Sequence, residues 1–369
     1  MKVLMISTDK KIFEERSAVR ERMVEYGKLF DELHIVVFKR RIRNQESRIR
    51  DTIKISNNVF VYSTNSISKL SYIFDAIRVG KKITHDSQFM IHNSIITSQD
   101  PFETGLVGWL ISRKFKIKLQ MQLHTDFLSK YFLKHSVSNR VRVVIAKFLL
   151  PKADCVRVVS KRIADSLKTI VSDSKIHILP IFVDIEKIKN TVISVDLHKK
   201  YPQFESIVLM VSRLEREKNI PLAIFAMKDV VKKYPKTGLV IVGDGSERKA
   251  LESKVKSLKL KDIVIFDGWK SKETIYSYYK TADLFLITSD YEGYGMTIIE
   301  ALTSGLSVLS TDVGVAREAG AHITDCNNIA ENIVIYTEND QKTAGLANYP
   351  YKNRQDYLDK FKQSFKCVS

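Results

Sequence analysis

Two carboxylates, Glu292 and Glu300, flank a glycine turn in the stretch Asp290-Tyr-Glu-Gly-Tyr-Gly-Met-Thr-Ile-Ile-Glu-Ala-Leu-Thr-Ser-Gly305. The apolar run 282–288 before it reads as a buried strand. The run 296–303 after Gly293 and Gly295 has helical pattern, and Gly305 suits its C-cap. Glu292 therefore falls in a strand-to-helix loop, and Glu300 about one turn inside the helix. The glycines bare backbone N–H groups at a helix N-terminus, which favours an anion through its unpaired donors and its dipole. The chemistry this spacing suggests is a phosphate held at the helix end, with an acceptor side chain for hydroxyls on either side.

Open α/β sheets bind ligands beyond the carboxyl ends of their strands, so the other strand-end loops matter. After the run 206–212, Arg213 and Lys218 bracket a short loop, and Pro221 suits the first turn of the next helix. Two cations there make a pyrophosphate clamp; taken alone, they also describe an ordinary solvated loop. After 238–243 comes the tight turn Gly243-Asp244-Gly245, weak by itself because such turns need glycine anyway. After 307–310 comes a further glycine turn at Gly314. Four successive loops of this chemistry converge at one sheet edge, and the conjunction outweighs any one of them.

The elements that must position these loops alternate along the chain. Strands are predicted at 2–7, 33–38, 59–63, 90–97, 116–123, 155–159 and 175–179, and again at 206–212, 238–243, 263–266, 283–288 and 307–310. Amphipathic helices are predicted between them, and the alternation argues for parallel sheets with helical crossovers. Two Rossmann-like, doubly wound α/β domains are expected, residues 1–190 and 191–350. The weakly patterned stretch 190–205 would link them. Residues 351–369 add a polar helix.

Charge is distributed unevenly. The chain of 369 residues has a formal net charge of +18. Residues 1–190 hold 35 Lys and Arg against 19 Asp and Glu, and the remainder 25 against 23. A surplus confined to one half implies an anionic partner: a membrane surface, a polyanion or a phosphorylated substrate. No run approaches the roughly 18 apolar residues of a membrane span, and the N-terminus reads as a first strand instead of a leader. Cys155, Cys326 and Cys367 are too far apart for a metal spacing or a disulfide framework, which fits a cytoplasmic setting. No Asp-x-Asp cluster or His/Cys ligand set is present, so no metal or other cofactor is expected. Nor is nucleic acid expected as a partner. A dehydrogenase is disfavoured, because no Gly-x-Gly-x-x-Gly follows the first strand.

The second half resembles the retaining family-4 glycosyltransferases, which have the two-domain GT-B fold. The resemblance rests on Val211-Ser-Arg-Leu-Glu-Arg-Glu-Lys-Asn219, Val242-Gly-Asp-Gly245, the run 282–288, Glu292-Gly-Tyr-Gly-Met-Thr-Ile-Ile-Glu300-Ala and Thr311-Asp-Val-Gly314. The first half fits more loosely, through Gln122-Leu-His124-Thr-Asp126, Val158-Val-Ser160 and Ile178-Leu-Pro180-Ile-Phe-Val-Asp184.

The resemblance implies a nucleoside-diphosphate sugar as co-substrate, retention of configuration and independence of metal. Arg213 and Lys218 would hold the donor diphosphate. The backbone at Gly295 and Met296 would add N–H donors. Glu300 would accept from the ribose, and Glu292 would contact the sugar ring. Gly293, Tyr294, Thr297, Gly243 and Asp244 would complete the donor pocket. His124, from the first domain, would face the sugar across the cleft and orient it. The final helix would cross back to the first domain.

The first strand-to-helix loop departs from many relatives, because it lacks glycine. Its cations Lys10, Lys11 and Arg16 would contact donor phosphate or acceptor. The basic first half would receive a cell-surface glycan, a lipid-linked sugar or another anionic acceptor. Arg40-Arg-Ile-Arg43, Lys81-Lys82, Arg113-Lys114 and Arg140-x-Arg142 could meet anionic head groups, giving a peripheral membrane location. The segment 139–150, apolar with basic residues, reads as a buried core helix slightly before a membrane-surface helix. Two other functions stay open on the same architecture: a sugar-nucleotide epimerase, and a noncatalytic nucleotide- or polyanion-binding protein.

Overall fold

The computed structural model describes residues 1–41, 52–86, 93–339 and 345–366. Arg43, Cys367 and the first residues of the strand expected at 90–97 lie outside these. The chain divides into two compact units. The first comprises residues 1–128, 136–180 and 354–369, and the second 129–135 and 181–353.

In the first unit the strands are β1 (Lys2–Ser7), β2 (Glu32–Val37), β3 (Thr52–Ser56), β4 (Val59–Ser63), β5 (Ser94–Ser98), β6 (Lys118–Leu123), β7 (Cys155–Val158) and β8 (Ile176–Ile178). They form one sheet in the order β3-β4-β2-β1-β5-β6-β7-β8. β1 pairs in parallel with both β2 and β5. Its residues Val3 to Ile6 are buried, as a strand covered on both faces by helices requires. β3 was not expected from the sequence. It is an antiparallel edge strand on β4, partly exposed, so its residues do not form the apolar run that marks a central strand.

The second unit has β9 (Ser206–Val211), β10 (Thr237–Val242), β11 (Val264–Gly268), β12 (Leu284–Ile287), β13 (Val308–Ser310) and β14 (His322–Ile323). Their order is β11-β10-β9-β12-β13-β14, all parallel. The chain winds one way from β9 to β11 and the other way from β12 to β14. The crevice between the loops after β9 and β12 is therefore the switch point where such sheets bind ligands.

Two features refine the sequence reading. The stretch 190–205 is docked on the second unit: Ser194 N–H donates to Ser277 Oγ at 3.0 Å, and Lys200 Nζ to Asp267 Oδ2 at 2.7 Å. Cys155 is disulfide-bonded, which corrects the reading that the cysteines form no bridge; Cys326 is free and exposed.

The C-terminal helix Arg354–Gln363 packs within the first unit. Phe361 stacks on Tyr26 with ring centroids 4.0 Å apart, Tyr357 and Tyr26 share a hydroxyl contact at 2.6 Å, and Arg354 pairs with Glu25.

Candidate active site

Arg213, Lys218, Glu292, Gly295, Met296 and Thr297 line one pocket of the second unit, at the switch point between β9 and β12. Lys218 ends the short 3-10 helix Arg216–Lys218. Its Nζ donates to Glu292 Oε1 at 2.5 Å, and both side chains are largely buried. Ser289 Oγ donates to the same oxygen at 2.8 Å. Arg213 is exposed, with its guanidinium 2.9 Å from Glu217.

The helix Met296–Thr303 opens at Gly295, whose φ of +91° suits a residue without Cβ, and no side chain caps it. Gly295 gives no side-chain cap to the helix start, where an anion can be held, and the third N–H, on Ile298, donates to the Gly295 carbonyl at 3.0 Å.

The strand-end loops are stitched together. Thr288 Oγ1 donates at 3.0 Å to the carbonyl oxygens of Lys218 and Asn219. Asn219 Nδ2 donates to Asp290 Oδ1 at 3.0 Å, and Asp290 N–H to the Glu217 carbonyl at 2.8 Å. The other oxygen of Asp290 meets His135 Nε2 at 3.1 Å. His135 comes from the helix Lys130–His135, which belongs to the second unit although it lies between two segments of the first. Phe132 on that helix meets the Tyr291 ring edge-on at 5.7 Å. Asn219 sits at φ +44°, a conformation that asparagine tolerates better than most residues. That was a readable signal. Nothing local marks His135.

Glu300 is buried and does not line the pocket. Tyr279 Oη donates to it at 3.3 Å. Burial, opposed by the Lys272 ammonium and the Tyr279 hydroxyl, pushes its carboxyl up to about 7. Tyr294 is buried, and its carbonyl accepts from Val315 N–H at 2.9 Å. Gly293, next to Glu292, is not among the pocket-lining residues.

Gly243 and Asp244 follow β10. A Cβ at Gly243, where φ is +132°, would lie 1.9 Å from the Ser212 carbonyl oxygen. Asp244 is exposed, and its carbonyl accepts from Leu214 N–H at 3.0 Å. This pair shapes the turn against the loop after β9 and does not line the pocket.

His124 follows β6 in the first unit. Its Nε2 meets Gln122 Oε1 at 3.2 Å, and the Arg157 guanidinium donates to the same Gln122 oxygen. Arginine only donates, which fixes the Gln122 amide, and so His124 Nε2 must carry the hydrogen. Gln122 Nε2 then donates to Thr97 Oγ1 at 2.8 Å, Thr97 Oγ1 to Gln120 Oε1 at 3.0 Å, and Gln120 Nε2 to the Ser364 carbonyl at 2.6 Å. Arg157 itself lies over the Phe361 ring at 4.8 Å. Crowding by protein, then the Arg157 and Arg22 guanidiniums, push the His124 pKa down to about 3, although the residue keeps solvent-accessible surface. The imidazole is neutral at neutral pH, with Nδ1 as its acceptor.

Lys10, Lys11 and Arg16 are exposed in the loop after β1. That loop is tied to the one after β5, because Gln99 Oε1 accepts from Ser7 Oγ at 2.8 Å and Thr8 N–H at 3.2 Å. Among the described residues, no group of three or more His, Cys, Asp or Glu could hold a metal ion.

The two parallel-sheet units place the chain among proteins of GT-B glycosyltransferase fold. Residues 197–354 match the model of the family "Glycosyl transferases group 1". The chain is 30% identical over 226 residues to an alpha-monoglucosyldiacylglycerol synthase of Streptococcus pneumoniae, covering 58% of this chain and 51% of that protein. It is 24% identical over 222 residues to the synthase of the same name from Acholeplasma laidlawii, covering 56% of each. The chain thus spans about half the length of these relatives. Among solved structures, sucrose-phosphate synthase from Thermosynechococcus elongatus superposes with a TM-score of 0.73 at 20% identity, over 99% of this chain and 94% of that one. Anabaena HepE, solved with UDP and glucose, gives 0.66 at 19% identity, over 100% and 96%.

Proposed function

We propose that this chain is a retaining, metal-independent glycosyltransferase. It moves a hexose-type sugar from a nucleoside-diphosphate sugar to a glycan, lipid-linked or other anionic acceptor. The observation that carries this reading is the convergence of Lys218, Glu292 and the uncapped helix start at Gly295 and Met296 on one pocket at the β9/β12 switch point. Breaking the anomeric C–O bond leaves negative charge on the diphosphate and positive charge on the ring. A fixed ammonium and helix N–H donors favour that charged state over the ground state. Arg213, exposed and paired with Glu217, adds a second cation to the pocket lining. Ionised Glu300 accepts from the ribose hydroxyls, and Glu292 contacts the sugar. Neutral His124 offers Nδ1 as an acceptor to a sugar hydroxyl.

Three similar proteins narrow the first trial. HepE is solved with UDP-glucose, and the matched synthases are named for a glucosyl diacylglycerol. We therefore place UDP-glucose first as donor and a diacylglycerol-type or other lipid-linked hydroxyl first as acceptor. The test is nucleoside-diphosphate release, with product analysis, across a panel of UDP- and GDP-sugars with and without acceptor. Acceptor-dependent release with the α-anomer retained supports the reading. A free epimer formed without acceptor returns the epimerase reading, and no turnover with any donor leaves a binding protein.

A further inference from the structure

The helix Val137–Leu149 in the first unit is amphipathic in an unusual sense: both of its faces are apolar. Val143, Ala146 and Leu149 face the core and are buried. Val137, Val141, Val144 and Phe148 are exposed by 72%, 55%, 68% and 52%. At 3.6 residues per turn, these four fall on a single stripe. Single exposed apolar residues are ordinary, whereas an aligned stripe is a patch that asks for a partner.

The rim of the stripe is cationic. Arg140 and Lys147 lie on its flank and are exposed. Lys152 Nζ sits 3.8 Å over the Phe148 ring, and Trp109, capped by Arg113 at 5.6 Å, meets Phe148 edge-on at 5.7 Å. Residues 101–150 hold nine Lys and Arg and two acidic residues, Glu103 and Asp126. Glu103 is bridged to Arg142 at 2.9 Å. A second exposed apolar group, Ile67, Leu70 and Phe74, opens the helix Tyr72–Asp86. That helix packs on Glu103–Phe115, which packs on Val137–Leu149, so the two groups belong to one helical layer.

We propose that this layer docks the chain on an anionic lipid bilayer. The stripe enters the boundary between head groups and acyl chains, while the surrounding Lys and Arg, their stems lying along apolar surface, meet lipid phosphates. A convex stripe with a positive rim suits a fluid, negatively charged interface better than a folded partner, which would need a groove to receive it. No helix among the described residues is long and apolar enough to cross a membrane, so the contact is peripheral. The inference stands apart from the donor chemistry, since binding is read without turnover.

The experiment is co-sedimentation of the full chain with phosphatidylcholine vesicles, with and without phosphatidylglycerol. Binding is expected with phosphatidylglycerol at low salt, weakening as salt rises. The Val144→Asp/Phe148→Asp double variant should weaken it about ten-fold or more, and Arg140→Glu/Lys147→Glu should remove its preference for anionic lipid. These side chains are exposed, so circular dichroism and thermal melting should match the parent. Equal binding to both vesicle types, or binding unchanged in Val144→Asp/Phe148→Asp, overturns the proposal. So does a parent dimer that becomes monomeric in that variant, which would make the face a self-association surface.

Discussion

Lys218 and Glu292, 74 positions apart, meet at 2.5 Å in the pocket between the loops after β9 and β12. The cation proposed for the diphosphate is thus already neutralised, and it is aimed by the carboxylate proposed for the sugar. Removing either partner strands a largely buried charge. Lys218→Ala should lower kcat by about a hundred-fold or more, the scale of losing one preorganised charge stabiliser. The melting temperatures of Lys218→Ala, Glu292→Ala and the double variant should be strongly non-additive, with a coupling of roughly 1–3 kcal/mol. Strict additivity would show that the two do not act as a pair.

Glu300 gives a pH signature. The folded chain holds its proton up to about 7, whereas the unfolded chain releases it near the ordinary glutamate value. The native state therefore binds more protons between those values. Stability from this group is greatest below the lower value, falls as pH rises, and levels off above about 7. The span is at most roughly 3 kcal/mol. Glu300→Gln should flatten this slope in urea titrations at pH 5 to 8. Donor binding should run the other way, because only the ionised carboxylate accepts from both ribose hydroxyls. KM for the donor should fall from pH 6 to 8 in the parent and stay level in Glu300→Gln.

His124 depends on Gln122 for its tautomer. Gln122→Leu removes the acceptor that holds the hydrogen on Nε2, and it also takes a partner from Arg157. The expected result is a kcat lowered by about ten-fold with the donor KM little changed, together with a stability loss of about 1–3 kcal/mol. Gln122→Glu keeps the acceptor for both neighbours and should recover most of the kcat. If both variants lose kcat alike, the relay does not position His124.

Gly243 and Gly305 separate crowding from backbone strain. Both have positive φ, +132° and +81°. A Cβ at Gly305 meets nothing within 4 Å, while one at Gly243 runs into Ser212. Gly305→Ala should cost about 1 kcal/mol by denaturant unfolding. Gly243→Ala should cost clearly more and weaken donor binding, because the turn abuts the loop that carries Arg213. Equal costs would refute the crowding account.

The sequence by itself determined the two-sheet α/β architecture and the loops that carry the site. Buried parallel strands must read as short apolar runs, and a helix start whose backbone takes a positive φ, as at Gly295, favours glycine; both are local requirements. Lys218, Glu292 and Gly295 could therefore be picked out by position. Tertiary structure alone decided their pairing and environment. Asp290 meets His135 from 155 positions away, and Arg157 fixes the Gln122 amide from a neighbouring strand. The carboxyl of Glu300 is raised by burial that no local pattern records. The helix Val137–Leu149 shows the same limit. Periodicity finds its apolar residues, but only the packing of the helix layer decides which of them face the core and which are left on the surface.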